Sequence, residues 1–291
     1  MADRVRVQAA AKVNLHLRVY RRREDGYHGI LSLFQAVSLV DSIVISSLKK
    51  SNTIEIDGDF DCPTEATTVY EAVRAYRAAT GNRTGLAISV DKRIPAGAGL
   101  GGGSSDAAAT LLGLEALLGG GLNPEALVGL GAGIGSDVPF FLGSGAAIVS
   151  GRGEAVDQIE ARSDFSLVLA YPGFPMPTRE AYALLDRRRP DDSAEPDPSS
   201  AALASAYRGE IPSWPFANSF EPVIGEARPS IVRAKAIMLE AGAAFSAMSG
   251  SGSAIFGVFE EGGEDQALER LRAEGCEAYA ASPLARCMAL D

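Results

Sequence analysis

Apolar and polar side chains alternate from the start of the chain. Val5, Val7 and Ala9 fall at every second position, and so do Val13, Leu15, Leu17 and Val19. That spacing puts one face of a strand on a core and leaves Lys12, Asn14 and His16 together on the other face. The same reasoning predicts strands over residues 37–45, 53–57 and 86–90. Helical spacing predicts helices over 69–79 and 104–118. A shorter helix opens at Pro124, since proline suits a first turn and the glycines from Gly131 suit an exit. Residues 166–171 form an apolar run of buried-strand length, followed by a helix over 178–186. Residues 187–200, rich in Pro, Asp and Ser, read as a loop or insert. A helix over 230–240, strands over 245–249 and 254–259, a helix over 265–273 and a strand over 278–282 follow. With the strand at 166–171, that order suits a ferredoxin-like α+β sandwich.

Composition narrows the picture. A length of 291 residues leaves room for two modest domains sharing a cleft, and the division expected is 1–160 and 161–291. The apolar fraction of 46% suits a globular core, whereas a formal charge of −10 argues against nucleic-acid or anionic-membrane partners, which need clustered Lys and Arg. The basic runs at 21–23 and 187–189 adjoin acidic residues and read as solvated surface. Any anionic ligand therefore has to be held by local structure. Cys62, Cys276 and Cys287 are too few and too scattered for a disulfide framework or a zinc site, which suits a reducing cytoplasm. The N-terminal residues lack the apolar stretch of a signal peptide, and no apolar run is long enough to span a bilayer. A cytoplasmic monomer or homodimer is expected.

Candidate chemistry starts at residues 95–109, Pro-Ala-Gly-Ala-Gly-Leu-Gly-Gly-Gly-Ser-Ser-Asp-Ala-Ala-Ala. Glycine tolerates positive φ, so Gly97, Gly99, Gly101, Gly102 and Gly103, framed by Pro95 and Leu100, can converge several N–H groups on one anion. Ser104 and Ser105 stand where the helix begins and add hydroxyls to its unpaired N–H groups and positive dipole end. ATP phosphates fit such a cradle. A Walker loop is excluded because the chain has no Gly-Lys pair. Gly97, Gly99 and Gly102 meet the dinucleotide spacing, but no acidic residue at a strand end follows about 20 residues on, which disfavours a nucleotide-binding oxidoreductase. A flexible surface loop is the plainer alternative, and the helix that fixes the loop's end weighs against it.

Other residues gain meaning only beside that loop. Lys12 alone reads as a surface lysine, and Asp137 alone as a turn cap. Together with a phosphate cradle they supply what alcohol phosphorylation needs, a group to position or deprotonate the hydroxyl and a cation to offset developing charge. Ser249, Gly250, Ser251 and Gly252 form a second glycine-serine turn, either a plain hairpin or an element that closes the cleft over the phosphates. Tyr27 and His28 follow a turn signal and read as a hairpin tip or as a platform for a heterocycle. Asp57, Asp59 and Asp61 begin like a calcium loop, but Cys62 stands where glycine is needed and Thr68 where the bidentate Glu belongs. An acidic surface loop is expected there. His16 and His28 have no partner at metal-ligand spacing, so no structural metal is expected.

The ensemble resembles the GHMP kinase superfamily, whose motifs occur here in order. Within it, Ala-Lys-Val-Asn-Leu over 11–15, Arg-Glu-Asp-Gly-Tyr-His over 23–28, Leu-Phe-Gln over 33–35 and Gly-Ser-Asp-Val-Pro-Phe-Phe over 135–141 look like one particular branch. That branch phosphorylates a cytidine-diphosphate-linked methylerythritol on the non-mevalonate route to isoprenoids. The resemblance implies an α+β, two-domain fold with a ribosomal-protein-S5-domain-2-like N-terminal half, a ferredoxin-like C-terminal half and the active site between them. It implies ATP as phosphoryl donor, Mg²⁺ with the ATP and a small-molecule cytidine-diphosphate substrate. By the same resemblance Lys12 and Asp137 are catalytic, Asn14 orients the substrate, and Tyr27, His28 and Tyr182 bind the cytidine. Two departures stand out: Thr67 and Thr68 where the family usually has Asn then Leu or Thr, and His16 in place of a commoner Phe or Asn. The alternatives are a sibling kinase for homoserine, mevalonate or a sugar, and a non-catalytic nucleotide-binding protein on the same fold. A substrate without a nucleobase would not require Tyr27 and His28, and a pure sensor need not keep Lys12 and Asp137.

Overall fold

A computed structural model describes residues 3–48, 52–188 and 198–290. Strand β1 (Arg4–Arg22) runs unbroken through the two strands predicted near the N-terminus and pairs antiparallel with β2 (His28–Leu48). Strand β3 (Ile54–Gly58), helix α1 (Thr68–Thr80) and strand β4 (Gly85–Asp91) follow, with β3 parallel to β4. Then come helices α2 (Gly102–Leu118), α3 (Pro124–Ile134) and α4 (Val138–Phe141) and the hairpin β5 (Ala146–Gly151) and β6 (Ala155–Ile159). Strand β2 is long enough to serve two neighbours on one edge: residues 30–35 pair with β5 and residues 42–48 with β4.

The second half contains β7 (Ser166–Tyr171), α5 (Thr178–Arg188), α6 (Ser200–Arg208), α7 (Glu221–Ala227), α8 (Pro229–Glu240), β8 (Phe245–Met248), β9 (Ile255–Phe259), α9 (Glu264–Ala273) and β10 (Glu277–Ala281). Its sheet has the antiparallel order β10-β7-β9-β8, the order of a ferredoxin-like split βαβ arrangement. The chain does not end there. Strand β11 (Met288–Leu290) returns to the first sheet and pairs antiparallel with β1.

Burial explains the layers. Helix α2 lays Ala107, Ala108, Leu111 and Leu114 against Val7, Ile43 and Ile45 of the first sheet, with Val73 and Tyr76 of α1 alongside. Val13 and Leu15 of β1 join Leu33 and Ile148 in a core shared with Leu167, Leu169, Phe256 and Val258 of the second sheet. Leu17 and Val19 extend β1 further, into the core formed by Val168 and the helices α7 to α9. All four predicted core residues of β1 are thus buried. Lys12, Asn14 and His16 on the opposite face are buried as well, so Lys12 is not the surface lysine it reads as when taken alone.

Several elements had no strong signal. The hairpin of β5 and β6, the single turn of α4, and α6, α7 and β11 are short or lie between turn residues. Helix α2 begins at Gly102 rather than Ser104, because Gly101 at φ +76° supplies the chain reversal without a side-chain cap. Within the segment read as an insert, Arg187 and Arg188 finish α5, and the Ser199 hydroxyl accepts from the Ala202 N–H at the start of α6. Residues 189–197 of that segment lie outside the described residues.

Candidate active site

Lys12 and Asn14 lie between two irregularities in the pairing of β1 with β2, at Ala10/Ala11 and at Asn14/His16. Bulged strands bend and re-aim their side chains. On the other edge of β1, the Lys12 N–H donates to the Leu100 carbonyl at 2.9 Å, so the glycine loop is held directly against the strand. Gly99 sits at φ +80°, and a Cβ there would stand 2.2 Å from the Ser249 carbonyl oxygen. Gly101 sits at φ +76°, with the Phe141 ring 2.8 Å from where its Cβ would be. No other residue type fits these two positions.

Pro95, Gly97, Gly99, Leu100, Gly101, Gly102, Gly103 and Ser104 line a cleft of about 600 Å³ between the halves, within the range of small-molecule sites. Ser105 is a correction to the sequence reading. Its side chain is fully buried behind the loop, and its hydroxyl donates to the Ala10 carbonyl at 2.6 Å. Helix α2 therefore starts two residues early and turns that hydroxyl inward.

Asp137 precedes α4, whose Phe140 and Phe141 are buried and whose Phe140 ring meets Phe34 edge-on at 5.2 Å. This packing presents the Asp137 carboxylate to the cleft, 3.8 Å from the Lys12 ammonium. Lys12 also donates to Asn14 Oδ1 and lies 4.7 Å from the centre of the Phe34 ring. Burial lowers the Lys12 pKa, and Asp137 opposes that shift. The Asn14 amide nitrogen donates to Ser32 Oγ at 2.9 Å, which fixes the direction of its oxygen.

The glycine-serine turn does close on the loop. The Ser249 hydroxyl donates to the Gly99 carbonyl at 2.9 Å, the Ala254 N–H donates to the Ala98 carbonyl at 2.9 Å, and the Asn14 N–H donates to Ser249 Oγ at 3.2 Å. Gly250 and Ser251 line the cleft, whereas Ser249 and Gly252 stand behind it. Asn218, which sequence reasoning missed, carries the turn by donating to the carbonyls of Met248 at 2.7 Å and Gly250 at 2.8 Å.

At one end of the cleft Tyr182 and Phe220 meet edge-on at 5.0 Å, with Leu17 and Ile30 nearby. Burial raises the Tyr182 pKa, with Asp137 and Asp186 adding to it. His28 packs its ring against Tyr182, centroids 4.8 Å apart, and both its nitrogens are engaged: Nδ1 with the Tyr20 carbonyl at 2.8 Å and Nε2 with Asp186 at 3.2 Å. It stands behind the wall rather than on it. Tyr27 is 59% exposed, outside the lining, with the Arg152 guanidinium 5.2 Å from its ring centre.

The opposite end is lined by Phe60, Asp61, Cys62, Thr67, Thr68 and Ile94. The segment read as an acidic surface loop is thus a rim of the cleft. Thr68 Oγ1 donates to the Gly103 carbonyl at 2.6 Å, tying α1 to the start of α2. A second missed group is ionic. Lys92 bridges Asp41 and Asp106, the latter at 2.6 Å, and both Lys92 and Asp106 line the cleft. Burial raises the Asp106 pKa to about 7; Lys92 opposes this, and Asp41, sharing the same ammonium, adds to it. Burial works to lower the Lys92 pKa, but the two carboxylates outweigh it and hold it above its ordinary value. The only hint in the sequence was a lysine at the end of a predicted strand just before the glycines. Among the described residues no group of His, Cys, Asp and Glu is arranged to hold a metal by itself, and no helix is long and apolar enough to cross a membrane.

Comparison with known proteins gives a consistent result. The GHMP kinases N terminal domain family matches residues 67–145 and the GHMP kinases C terminal family matches residues 203–277. A 4-diphosphocytidyl-2-C-methyl-D-erythritol kinase of Thermodesulfovibrio yellowstonii is 38% identical over 87% of this chain and 88% of its own. A crystal structure of 4-(cytidine 5'-diphospho)-2C-methyl-D-erythritol kinase superposes with a TM-score of 0.83 at 37% identity, covering 96% of this chain and 99% of that one. A homoserine kinase from Cytophaga hutchinsonii shares the fold, with a TM-score of 0.74 at 19% identity over 100% of this chain and 98% of that one. With both family models matched and relatives of this identity covering most of its length, the chain belongs to the GHMP kinase family, in its 4-diphosphocytidyl-2-C-methyl-D-erythritol kinase branch.

Proposed function

We propose that this kinase transfers the γ-phosphoryl group of ATP to the 2-hydroxyl of 4-diphosphocytidyl-2-C-methyl-D-erythritol, giving the 2-phosphate and ADP, a step of non-mevalonate isoprenoid synthesis. The observation that carries the reading is the pair Lys12 and Asp137, 3.8 Å apart at the mouth of the glycine loop. Phosphoryl transfer through a loose transition state demands positioning and charge stabilisation more than covalent help. The loop N–H groups and the α2 dipole hold the triphosphate. Asp137 orients the acceptor hydroxyl and takes its proton as the bond to phosphorus forms. The Lys12 ammonium, whose charge Asp137 favours against the effect of burial, offsets charge on the transferring oxygens, and Asn14 fixes Lys12. The cytosine lies at the end walled by Tyr182 and Phe220, with His28 supporting Tyr182 and with Tyr27 and Arg152 at the exposed rim.

Mg²⁺ suits the oxygen donors at the loop. Ser104 and Asp137 both line the cleft, and hard oxygen ligands are what this ion takes. When bound with ATP it would screen the charge between the β- and γ-phosphates. Residues 1–160 then form the nucleotide and transfer half, and 161–291 the half that supplies the turn and much of the cytidine wall.

ADP release from Mg-ATP on adding 4-diphosphocytidyl-2-C-methyl-D-erythritol, with homoserine, mevalonate and galactose as parallel acceptors, tests this directly. Turnover with the cytidylyl compound alone is expected. Turnover with another acceptor in preference would keep the kinase and overturn the substrate.

A further inference from the structure

The ten residues from Lys92 to Gly101 have to be held in one shape although Gly97, Gly99 and Gly101 all sit at positive φ. Glycine-rich segments lose more conformational entropy on ordering than others do. A cradle that is ordered only when the nucleotide arrives therefore binds more weakly than one ordered in advance. Something outside the loop must hold its two ends.

The ion group around Lys92 is placed to do so. Asp41, fully buried on β2, uses one oxygen to accept from the N–H groups of Arg93 at 2.6 Å and Ile94 at 2.9 Å, and the other to accept from Lys92. The entry to the loop is thereby hooked to the sheet. Lys92 in turn donates to Asp106 Oδ2 at 2.6 Å, one turn inside α2, just past the exit of the loop. Its ammonium stands 3.5 Å from where a Cβ on Gly102 would be, and Ile94 Cγ2 stands 3.0 Å from the same point. Entry and exit of the loop are thus joined through one ammonium.

We infer that Lys92, gripped by Asp41 and Asp106, is a positioning residue for ATP: it holds the start of α2 against the entry of the glycine loop, so that the triphosphate meets a preformed set of N–H groups. The inference rests on the nucleotide reading of this end of the cleft proposed above. Lys92 acts through the loop and not on the reacting atoms. Its loss weakens nucleotide binding and leaves the cytidine end, built on other elements, as it was.

Simple removal of the ammonium is a poor test. Asp106 Oδ1 is buried without a hydrogen-bond partner, so Lys92 is the partner that offsets this carboxylate, and an uncompensated buried charge is strongly destabilising. Lys92→Met combined with Asp106→Asn removes one charge of each sign, and the Asp41 carboxylate that remains keeps the Arg93 and Ile94 N–H groups as its donors. In this double variant two readouts are expected to move: calorimetric Kd for ATP rises about 10-fold, as for loss of one charge-assisted contact, and amide exchange over residues 97–103 speeds up in the free protein. Affinity for 4-diphosphocytidyl-2-C-methyl-D-erythritol stays unchanged. Lys92→Arg, which keeps the bridge, retains slow exchange. Unchanged exchange over 97–103 overturns the clamp whatever the nucleotide does, and so does equal weakening of both ligands. A wild-type protein that binds no ATP overturns the nucleotide reading instead, while exchange still reports on the clamp.

Discussion

Asp137 and Lys12 were each unremarkable in the sequence, and their meaning comes from distance. An Asp137→Asn change keeps the volume and removes the charge and the basicity. Its expected effect is a fall in kcat of about 10²-fold or more, the usual scale for a positioned acid-base group, with ATP affinity retained in a calorimetric titration. Unaltered turnover would remove Asp137 from the mechanism. His28 calls for a different argument. Its nitrogens are satisfied within the protein and its ring supports Tyr182, so His28→Ala loosens the wall and also leaves Asp186 without its partner. KM for the cytidylyl substrate is expected to rise about 10-fold, the size of one aromatic contact, with KM for ATP unchanged. Steady-state kinetics with each substrate varied in turn separates this from misfolding, which raises both. The glycine loop was legible because the spacing of its glycines carries chemistry, while Lys12, Asn14 and Asp137 were picked out only beside it and through the family resemblance, and the structure brings all three to the same cleft. Ser105, Lys92 and Asp41 were not legible, because hydroxyl direction and ion pairing between residues 51 apart depend on how β2, β4 and α2 come together.

Elements were easiest to read where one face is apolar. The strand at Ser166–Tyr171 has the predicted limits, and α1, α8 and α9 extend by only a residue or so beyond theirs. Short pieces such as α4 and β11 have too few residues for a period to show, and β1 merges two predicted strands because alanines bridge residues 9–11. The glycine loop offers a sharp test at this scale. Gly99 and Gly119 both have positive φ, but a Cβ on Gly99 collides with the Ser249 carbonyl, while Gly119 at the end of α2 faces open space. Both changes to alanine incur the left-handed backbone penalty of about 1–2 kcal/mol. Only Gly99→Ala also displaces the turn from the loop. It is expected to lose most of kcat/KM, whereas Gly119→Ala keeps full activity and shows only a lower denaturation midpoint. Equal activity in the two variants would mean that contact between turn and loop is irrelevant to transfer.

At the scale of the molecule, the two sheets share one core in addition to the core that each forms with its own helices. Val13, Leu15 and Leu33 from the first sheet and Leu167, Phe256 and Val258 from the second are buried in one cluster, together with Tyr207, Trp214 and Phe216. The Tyr207 hydroxyl donates to Gln35 on β2, and its oxygen accepts from the Arg162 N–H at 2.7 Å. Strand β11 adds a covalent return from the second half to β1. Exposing this shared core exposes apolar surface of both halves at once, at roughly 25 cal/mol per Å², so neither half can open while the other keeps its stability. A single cooperative transition is therefore expected in urea, with far-ultraviolet circular dichroism and Trp214 fluorescence changing together. Trp214 is the only tryptophan and is buried in the shared core, so its emission reports on the junction itself. Phe216→Ala, which removes a ring 5.0 Å from Trp214, should lower the midpoint for both probes equally, by about 3–5 kcal/mol of stability. If the fluorescence transition instead separates from the loss of secondary structure, the halves fold as independent units and the cleft is a joint between them, not an edge of one core.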